Sequence, residues 1–305
     1  MNQLRVWVYF NVFVLTLLAA DLIIFHRRST KTTNVKEALT WSAGWIGLAA
    51  AFAVLLFFWQ GQKTTLEFVT GYVIELSLSV DNLFVFLLIF RYFKVFGAHQ
   101  HKVLFWGILG ALVLRGLFII LGVGLIHRFH WITYVFGGLL VYSGAKLFRN
   151  QHLAIDIEKN PLLKVFRKVF PVTENYQGNN FFVRKPKFLV TPLFLVLLVV
   201  ETTDLLFAVD SIPAILAITL NSFVVYSSNV FAMLGLRSMY FALAGLLDRF
   251  RYLHYGLSLV LISIGAKMLL AKYYEVPTAL ALGVVAAILS VAVIASQLHA
   301  EPAKS

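Results

Sequence analysis

Nine stretches of this chain are each about 20 mostly apolar residues long, the length a helix needs to cross a bilayer. They lie near 4–25, 39–59, 66–90, 103–126, 131–148, 189–219, 223–247, 252–271 and 277–297. The runs are continuous rather than alternating, so they predict helices and not the strands of a barrel. Composition agrees: 60% of residues are hydrophobic and 13% charged, against about 25% charged in a soluble domain. An ordinary soluble enzyme is excluded, and so is a disordered chain, which is poor in aromatic and aliphatic residues. The absence of Cys excludes a disulfide scaffold. The expected fold class is an all-α polytopic membrane protein.

The net charge of +12 comes from 26 basic and 14 acidic residues. In a soluble protein that balance points to nucleic acid. In a membrane protein it reports topology, because cytoplasmic segments collect Lys and Arg. The start of the first span carries only Arg5, while Arg27 and Arg28 follow it. This predicts an uncleaved anchor with its N-terminus outside. Eighteen basic residues then fall in cytoplasmic segments, four outside and four (Arg115, Lys146, Arg237, Lys267) within spans. The expected arrangement is N-terminus outside and C-terminus cytoplasmic, with the lipid bilayer as surroundings and no nucleic-acid partner.

The chain also repeats itself. Glu75-Leu-Ser-Leu-Ser-Val-Asp81-Asn82 in the third span matches Asp204-Leu-Leu-Phe-Ala-Val-Asp210-Ser211 in the sixth. Ser143-Gly-Ala-Lys146 ends the fifth span, and Ile264-Gly-Ala-Lys267 ends the eighth. Arg115 and Arg237 agree to within one residue of register. Each unit holds three spans, an odd number, so the second must enter the membrane from the opposite side. Inverted repeats of this kind build many transporters, with their sites near the midplane. The expected division is two N-terminal spans (1–65), a first three-helix repeat (66–148), a cytoplasmic loop (149–188), a second, inverted repeat (189–271), and a last span with its tail (272–305).

Charges inside spans are costly, about 2.5–3.5 kcal/mol each on insertion scales, and they mark function by default. Glu75 and Asp81 lie in the third span; Glu201, Asp204 and Asp210 lie in the sixth. Arg115 and Arg237 are the expected charge-compensating residues. Asp21, Lys146 and Lys267 sit near span ends, where they are expected to reach the interface. Glu75, Ser79 and Asn82 share one helical face, and Glu201, Asp204, Ala208 and Ser211 share another. Asp81 and Asp210 fall off those faces on regular helices. Pro213 predicts a kink or unwound turn over 209–213 that would bring Asp210 into line. The resulting donor set (Glu75, Asp81, Asn82, Glu201, Asp204, Asp210, Ser211) is all oxygen. Such sites suit Mg²⁺, Ca²⁺ or Mn²⁺ rather than copper or zinc. Five acids against two Arg leave negative charge for a divalent cation to neutralise. Without the cation some carboxylates are expected to take up protons, which makes metal–proton exchange a natural expectation. The competing reading is that acids and Arg merely join helices.

Two long motifs carry a family resemblance. Ile74-Glu-Leu-Ser-Leu-Ser-Val-Asp-Asn82 and Val200-Glu-Thr-Thr-Asp-Leu-Leu-Phe-Ala-Val-Asp-Ser-Ile-Pro-Ala214 resemble the two signatures of the TerC family of integral membrane proteins. Asn229–Phe241 resembles a third and Phe181–Lys185 a fourth. The likeness covers nearly the whole chain and is nearest the Alx branch. It implies membership of the LysE-type transporter superfamily, residence in the bacterial inner membrane, and manganese export. It also implies that the acidic and polar residues named above are the family's signature positions. Thr202-Thr203 departs from the Leu- or Met-Ser expected there but keeps a hydroxyl.

The leading expectation is therefore a divalent-cation exporter, for Mn²⁺ first. Its site would lie between the third and sixth spans, and it would need no permanently bound cofactor. The second reading is a non-transporting modulator of redox stress or tellurite resistance that acts through partners. Enzyme activity is not expected: no Gly-x-Gly-Asp or Gly-x-Ser-Gly marks an intramembrane protease.

Overall fold

The computed structural model describes residues 3–26, 35–95, 97–149, 166, 170–185, 187–244, 252–274 and 276–298. Half of the expected loop (150–165, 167–169 and 186) and the C-terminal residues 299–305 lie outside these residues. Among the described residues ten helices and one short hairpin follow in order: α1 (Gln3–His26), α2 (Val35–Gln60), α3 (Gln62–Tyr92), α4 (Ala98–Arg128), α5 (Ile132–Arg149), β1 (Phe182–Lys185), β2 (Lys187–Val190), α6 (Pro192–Leu216), α7 (Ser222–Leu234), α8 (Leu236–Ala244), α9 (Leu253–Leu270) and α10 (Thr278–Leu298). The protein is an all-α, multi-pass membrane protein.

Among the described residues seven helices are long and apolar enough to cross a membrane: α1, α2, α3, α4, α6, α9 and α10. The other two expected spans are not among these seven. The fifth is α5, 18 residues long as expected, with Lys146 and Arg149 in its last turn. The seventh, expected as one run over 223–247, is broken into α7 and α8 at Gly235. Glycine weakens a helix interior by about 1 kcal/mol. Ser238 Oγ also donates to the Gly235 carbonyl at 2.9 Å, the back-bonding that bends helices. Pro213, by contrast, unwinds nothing: α6 runs on to Leu216. So close to the end of the helix, proline removes one bond with little left to disrupt.

Polarity is inverted relative to a soluble protein. On α4, Val113, Leu117, Ile120 and Leu121 are exposed, forming a lipid-facing stripe at i, i+4, i+7 and i+8. The opposite face buries Leu112, Arg115 and Ile119. One inner surface is lined by α3, α4, α6 and α7, which pack on one another.

Helices α5 and α9 pack closely and run antiparallel. A Cβ on Gly265 would meet the Gly137 carbonyl oxygen at 2.7 Å and the Val141 nitrogen at 2.9 Å. A Cβ on Gly144 would meet the Ser258 carbonyl oxygen at 2.8 Å and the Ile262 nitrogen at 3.1 Å. Small residues let membrane helices approach this closely. The two sets of contacts are reciprocal: adding 121 to Gly144, Gly137 and Val141 gives Gly265, Ser258 and Ile262. A second reciprocal pair joins the other helices. Gly107 on α4 faces Val200 on α6, and Ser228 on α7 faces Gly71 on α3. Here Gly107 maps onto Ser228 by the same 121 residues, and Gly71 onto Val200 by 129. Contacts of this form are what a two-fold axis generates.

Candidate metal centre

The polar core is built around Arg115. Its Nε donates to Asp204 Oδ2 at 3.1 Å and its Nη2 to Asp204 Oδ1 at 3.0 Å. This is the bidentate fork that guanidinium and carboxylate planes favour. Nη1 forms an ion pair with Glu75 Oε1 and donates to Asn229 Oδ1 at 3.5 Å. Ser79 Oγ, one turn along α3, donates to the same Glu75 oxygen at 3.4 Å. Arg115 is 1% exposed, Glu75 0% and Asp204 3%, so water plays little part in holding these charges.

Glu201 completes the cluster. It sits one turn before Asp204, near enough for the two carboxylates to repel. Gly110 on α4 makes room for it: a Cβ there would collide with the Glu201 carboxylate, with Cδ at 2.6 Å and Oε2 at 2.9 Å. Glu75 Oε2 and Glu201 Oε2 are buried with no hydrogen-bond partner. Three carboxylates against one guanidinium leave two negative charges when all are ionised.

Among the described residues, no hydrogen bond or ion pair joins the remaining expected residues to this cluster. Asn82 is buried, and its Nδ2 has no partner; the same holds for Ser211 Oγ. Asp81 lies on α3, but its side chain is outside the described residues. Asp210 does not join the site. It accepts a hydrogen bond from Ser143 Oγ of α5 at 2.7 Å, and Lys146 lies within electrostatic reach. The physical reason is the continuity of α6. Without the unwound turn expected at Pro213, Asp210 stays about 600° of helical rotation from Asp204 and faces α5.

Arg237 also departs from expectation. It pairs with Asp21 of α1, Nη1 to Oδ2 at 2.9 Å, instead of compensating the acids of α3 and α6. The repeat register explains the difference. The shift of 121 that carries Gly107 onto Ser228 carries Arg115 onto Leu236, leaving Arg237 one residue, or about 100°, off the site-facing direction. Asp21, expected to reach the interface, is held by Arg237, with its side chain 9% exposed. Lys267 likewise lies near Glu67, which is buried and accepts from Thr219 Oγ1 at 2.7 Å.

Sequence reasoning assigned no role to Asn229, Ser143 and Gly110. Asn229 had a visible signal, since it is an amide inside an apolar run. Gly110 had none, because its role is the space it leaves for a residue on another helix.

Among the described residues no three His, Cys, Asp or Glu side chains converge closely enough to hold a metal ion. The reason is visible: the Arg115 guanidinium fills the space between Glu75 and Asp204. Chemically the arrangement is a buried anionic pocket whose charge is partly met by an internal cation. If that cation withdraws, carboxylate and amide oxygens from α3, α6 and α7 are left facing one space.

The family model described as integral membrane protein TerC family matches residues 60–304. The chain belongs to the TerC family. Relatives of similar length support the assignment. A TerC-type relative from Escherichia coli (strain K12), named provisionally as the membrane-bound redox modulator Alx, is 45% identical over 293 residues, covering 93% of this chain and 91% of that protein. The uncharacterized membrane protein STKORF319 of Myxococcus xanthus is 46% identical over 291 residues, 95% of this chain and 91% of the relative. An uncharacterized membrane protein of Rickettsia bellii (strain RML369-C) is 38% identical over 291 residues, 95% of this chain and 96% of the relative. No solved structure matches the chain.

Proposed function

We propose that this TerC-family protein exports a divalent cation, Mn²⁺ first, across the bacterial plasma membrane. The observation that carries the reading is the charge of the buried cluster. Glu75 and Asp204 both pair with Arg115 in the interior of the bundle, and Glu201 lies beside Asp204, which leaves two negative charges in excess when all three acids are ionised. A divalent cation is the complement of that deficit. The donors are carboxylate and amide oxygens, with no thiolate anywhere in the chain, which favours Mn²⁺, Mg²⁺ or Ca²⁺ over softer metals. Among these, manganese and the outward direction rest on the family resemblance.

Arg115 acts as the resident cation of the empty site. When a metal ion enters, the guanidinium gives up one or both carboxylates to it. When the ion leaves, the guanidinium or protons return to them. The reciprocal contacts of α3–α9 support an inverted repeat, in which motion of one half against the other alternates access. The basic loop and hairpin are expected on the cytoplasmic side.

The redox role in the relatives' name is a second reading. Without Cys it cannot run on a dithiol of this chain, and a shift in cellular metal would account for it indirectly. The test is to overexpress wild type, Glu75→Gln and Asp204→Asn in cells loaded with manganese and to measure cell metal. Wild type is expected to lower manganese content and both variants to leave it high. Unchanged manganese with wild type refutes the proposal.

A further inference from the structure

Between the acidic cluster and the end of the bundle that carries the β-hairpin lies a small cavity of about 10 Å³, room for about one water. Leu83 and Phe86 of α3, Leu104 and Ile108 of α4, Met233 of α7 and Leu236 of α8 line it, with Asp204 as its one charged wall. Its position follows from the chain. Leu83 and Phe86 lie beyond Glu75 toward the end of α3, and Leu104 and Ile108 lie before Arg115 near the start of α4. The start of α4 is also where the turn before β1 docks. His99 Nε2 lies 2.9 Å from the Gly178 carbonyl oxygen, and Lys102 Nζ bonds the Asn179 carbonyl. The cavity therefore points from the site toward the hairpin end.

A polar contact sits directly behind its apolar wall. Leu236 is followed by Arg237, whose guanidinium is held by Asp21 of α1 and lies 3.4 Å from His101 Nδ1. Both side chains of the Asp21–Arg237 pair are under 10% exposed. The His101 ring packs on Phe241 of α8, with centroids 4.3 Å apart. The residue before Leu236 is Gly235, where α7 and α8 separate. A hinge, an apolar plug residue and an anchored charge thus occupy three consecutive positions. A hydrated cation cannot pass a constriction lined by Leu, Phe, Ile and Met and wide enough for a single water, because such necks close by dewetting.

We propose that this cavity is the closed passage between the metal centre and the hairpin end, and that the Asp21–Arg237 pair is its latch. The latch holds α8 so that Leu236 stays in the plug. Releasing Arg237 lets α8 swing about Gly235 and opens the passage to water. This gives a task to α1, which lies outside the repeat, and to the arginine that falls one residue out of register. The proposal rests on the transport reading of the acidic cluster, but its test needs no metal.

The chain has no Cys, so single thiols report without background. Leu236→Cys is made in the full-length protein, in membrane vesicles that expose the hairpin end, with and without Asp21→Asn. Modification by a membrane-impermeant maleimide is timed. Leu140→Cys, at a fully buried position on α5, reports on the rest of the fold. Asp21→Asn is expected to speed labelling at position 236 by about tenfold or more, since it strips a buried guanidinium of its charge partner. Labelling at position 140 should stay slow, and Asp21→Glu should restore slow labelling at 236. Unchanged labelling at 236 overturns the latch. Equal acceleration at 236 and 140 overturns it as well, because the pair would then merely hold the fold together. Neither outcome bears on which cation the centre takes, so failure here is distinct from failure of the transport reading.

Discussion

Replacing Arg115 by Met separates a resident cation from structural glue. Met keeps an unbranched apolar stem of similar reach and carries no charge. In the protein as it stands, Arg115 satisfies Asp204 through two bonds and Glu75 through an ion pair, all three groups being almost wholly buried. Removing one partner of a buried ion pair costs about 3–5 kcal/mol, because the other charge is left uncompensated. At about 2–4 °C per kcal/mol for a chain of this size, Tm should fall by about 6–20 °C. A divalent cation should then do what the guanidinium did. At a hundred times its Kd a ligand returns about 2.7 kcal/mol, which recovers much of the loss. The same ion should stabilise wild type less, since there it must first displace Arg115. The assay is thermal unfolding of purified Arg115→Met and wild type in detergent, with and without Mn²⁺. The reasoning is refuted if Mn²⁺ raises Tm no more in the variant than in wild type, or if the variant loses no stability without metal.

Three further outcomes follow from named contacts. Gly110→Ala places a Cβ against the Glu201 carboxylate; overpacking of this kind costs about 1–3 kcal/mol, so Mn²⁺ affinity by calorimetry should fall about 10- to 100-fold. Gly265→Ala should cost a similar about 1–3 kcal/mol in thermal stability, because the new methyl meets backbone of α5 at 2.7 and 2.9 Å. Gly138→Ala, with nothing within 4 Å, should be neutral, and equal loss in the two would refute the close crossing. Tyr176, in the turn segment outside the spans, donates to the Phe93 carbonyl at 2.6 Å, and burial raises its phenol above the ordinary value of 10.0. The contribution is complete below that value and is lost as pH climbs past it, since the unfolded phenol ionises first. Limited proteolysis of the segment should therefore quicken above about pH 10 in wild type, while Tyr176→Phe should be susceptible already at pH 8 by about 1 kcal/mol of lost hydrogen bonding.

The apolar runs made the helices legible, because a span must satisfy its backbone within itself and announces its length. Glu75 and Asp204 stood out in matching motifs of the third and sixth spans, and both contact Arg115. What the sequence could not supply was rotation and break. A single residue of register separates Arg115, which faces the acids, from Arg237, which faces α1, and span-level periodicity does not resolve one residue. Pro213 looked like a disruption, but its effect depends on its distance from the helix end. Gly235 lies inside an apolar run, yet it divides a span. Asp21 was set aside for lying near a helix end, and nothing local to α1 shows that an arginine more than 200 positions away comes to meet it. Such contacts belong to packing, and a periodic pattern records only which face is apolar.

The central claim is that Glu75, Glu201 and Asp204 form the binding site of a transported divalent cation. The most direct measurement is flux through purified protein in sealed vesicles. Mn²⁺ is placed on one side, a pH difference is imposed, and metal movement is followed for wild type, Glu75→Gln and Asp204→Asn, with Mg²⁺ and Ca²⁺ as competitors. The account predicts saturable Mn²⁺ movement with wild type that both variants abolish while remaining folded. Vesicles with wild type that move no more metal than protein-free ones, or variants that move it as fast as wild type, would contradict it.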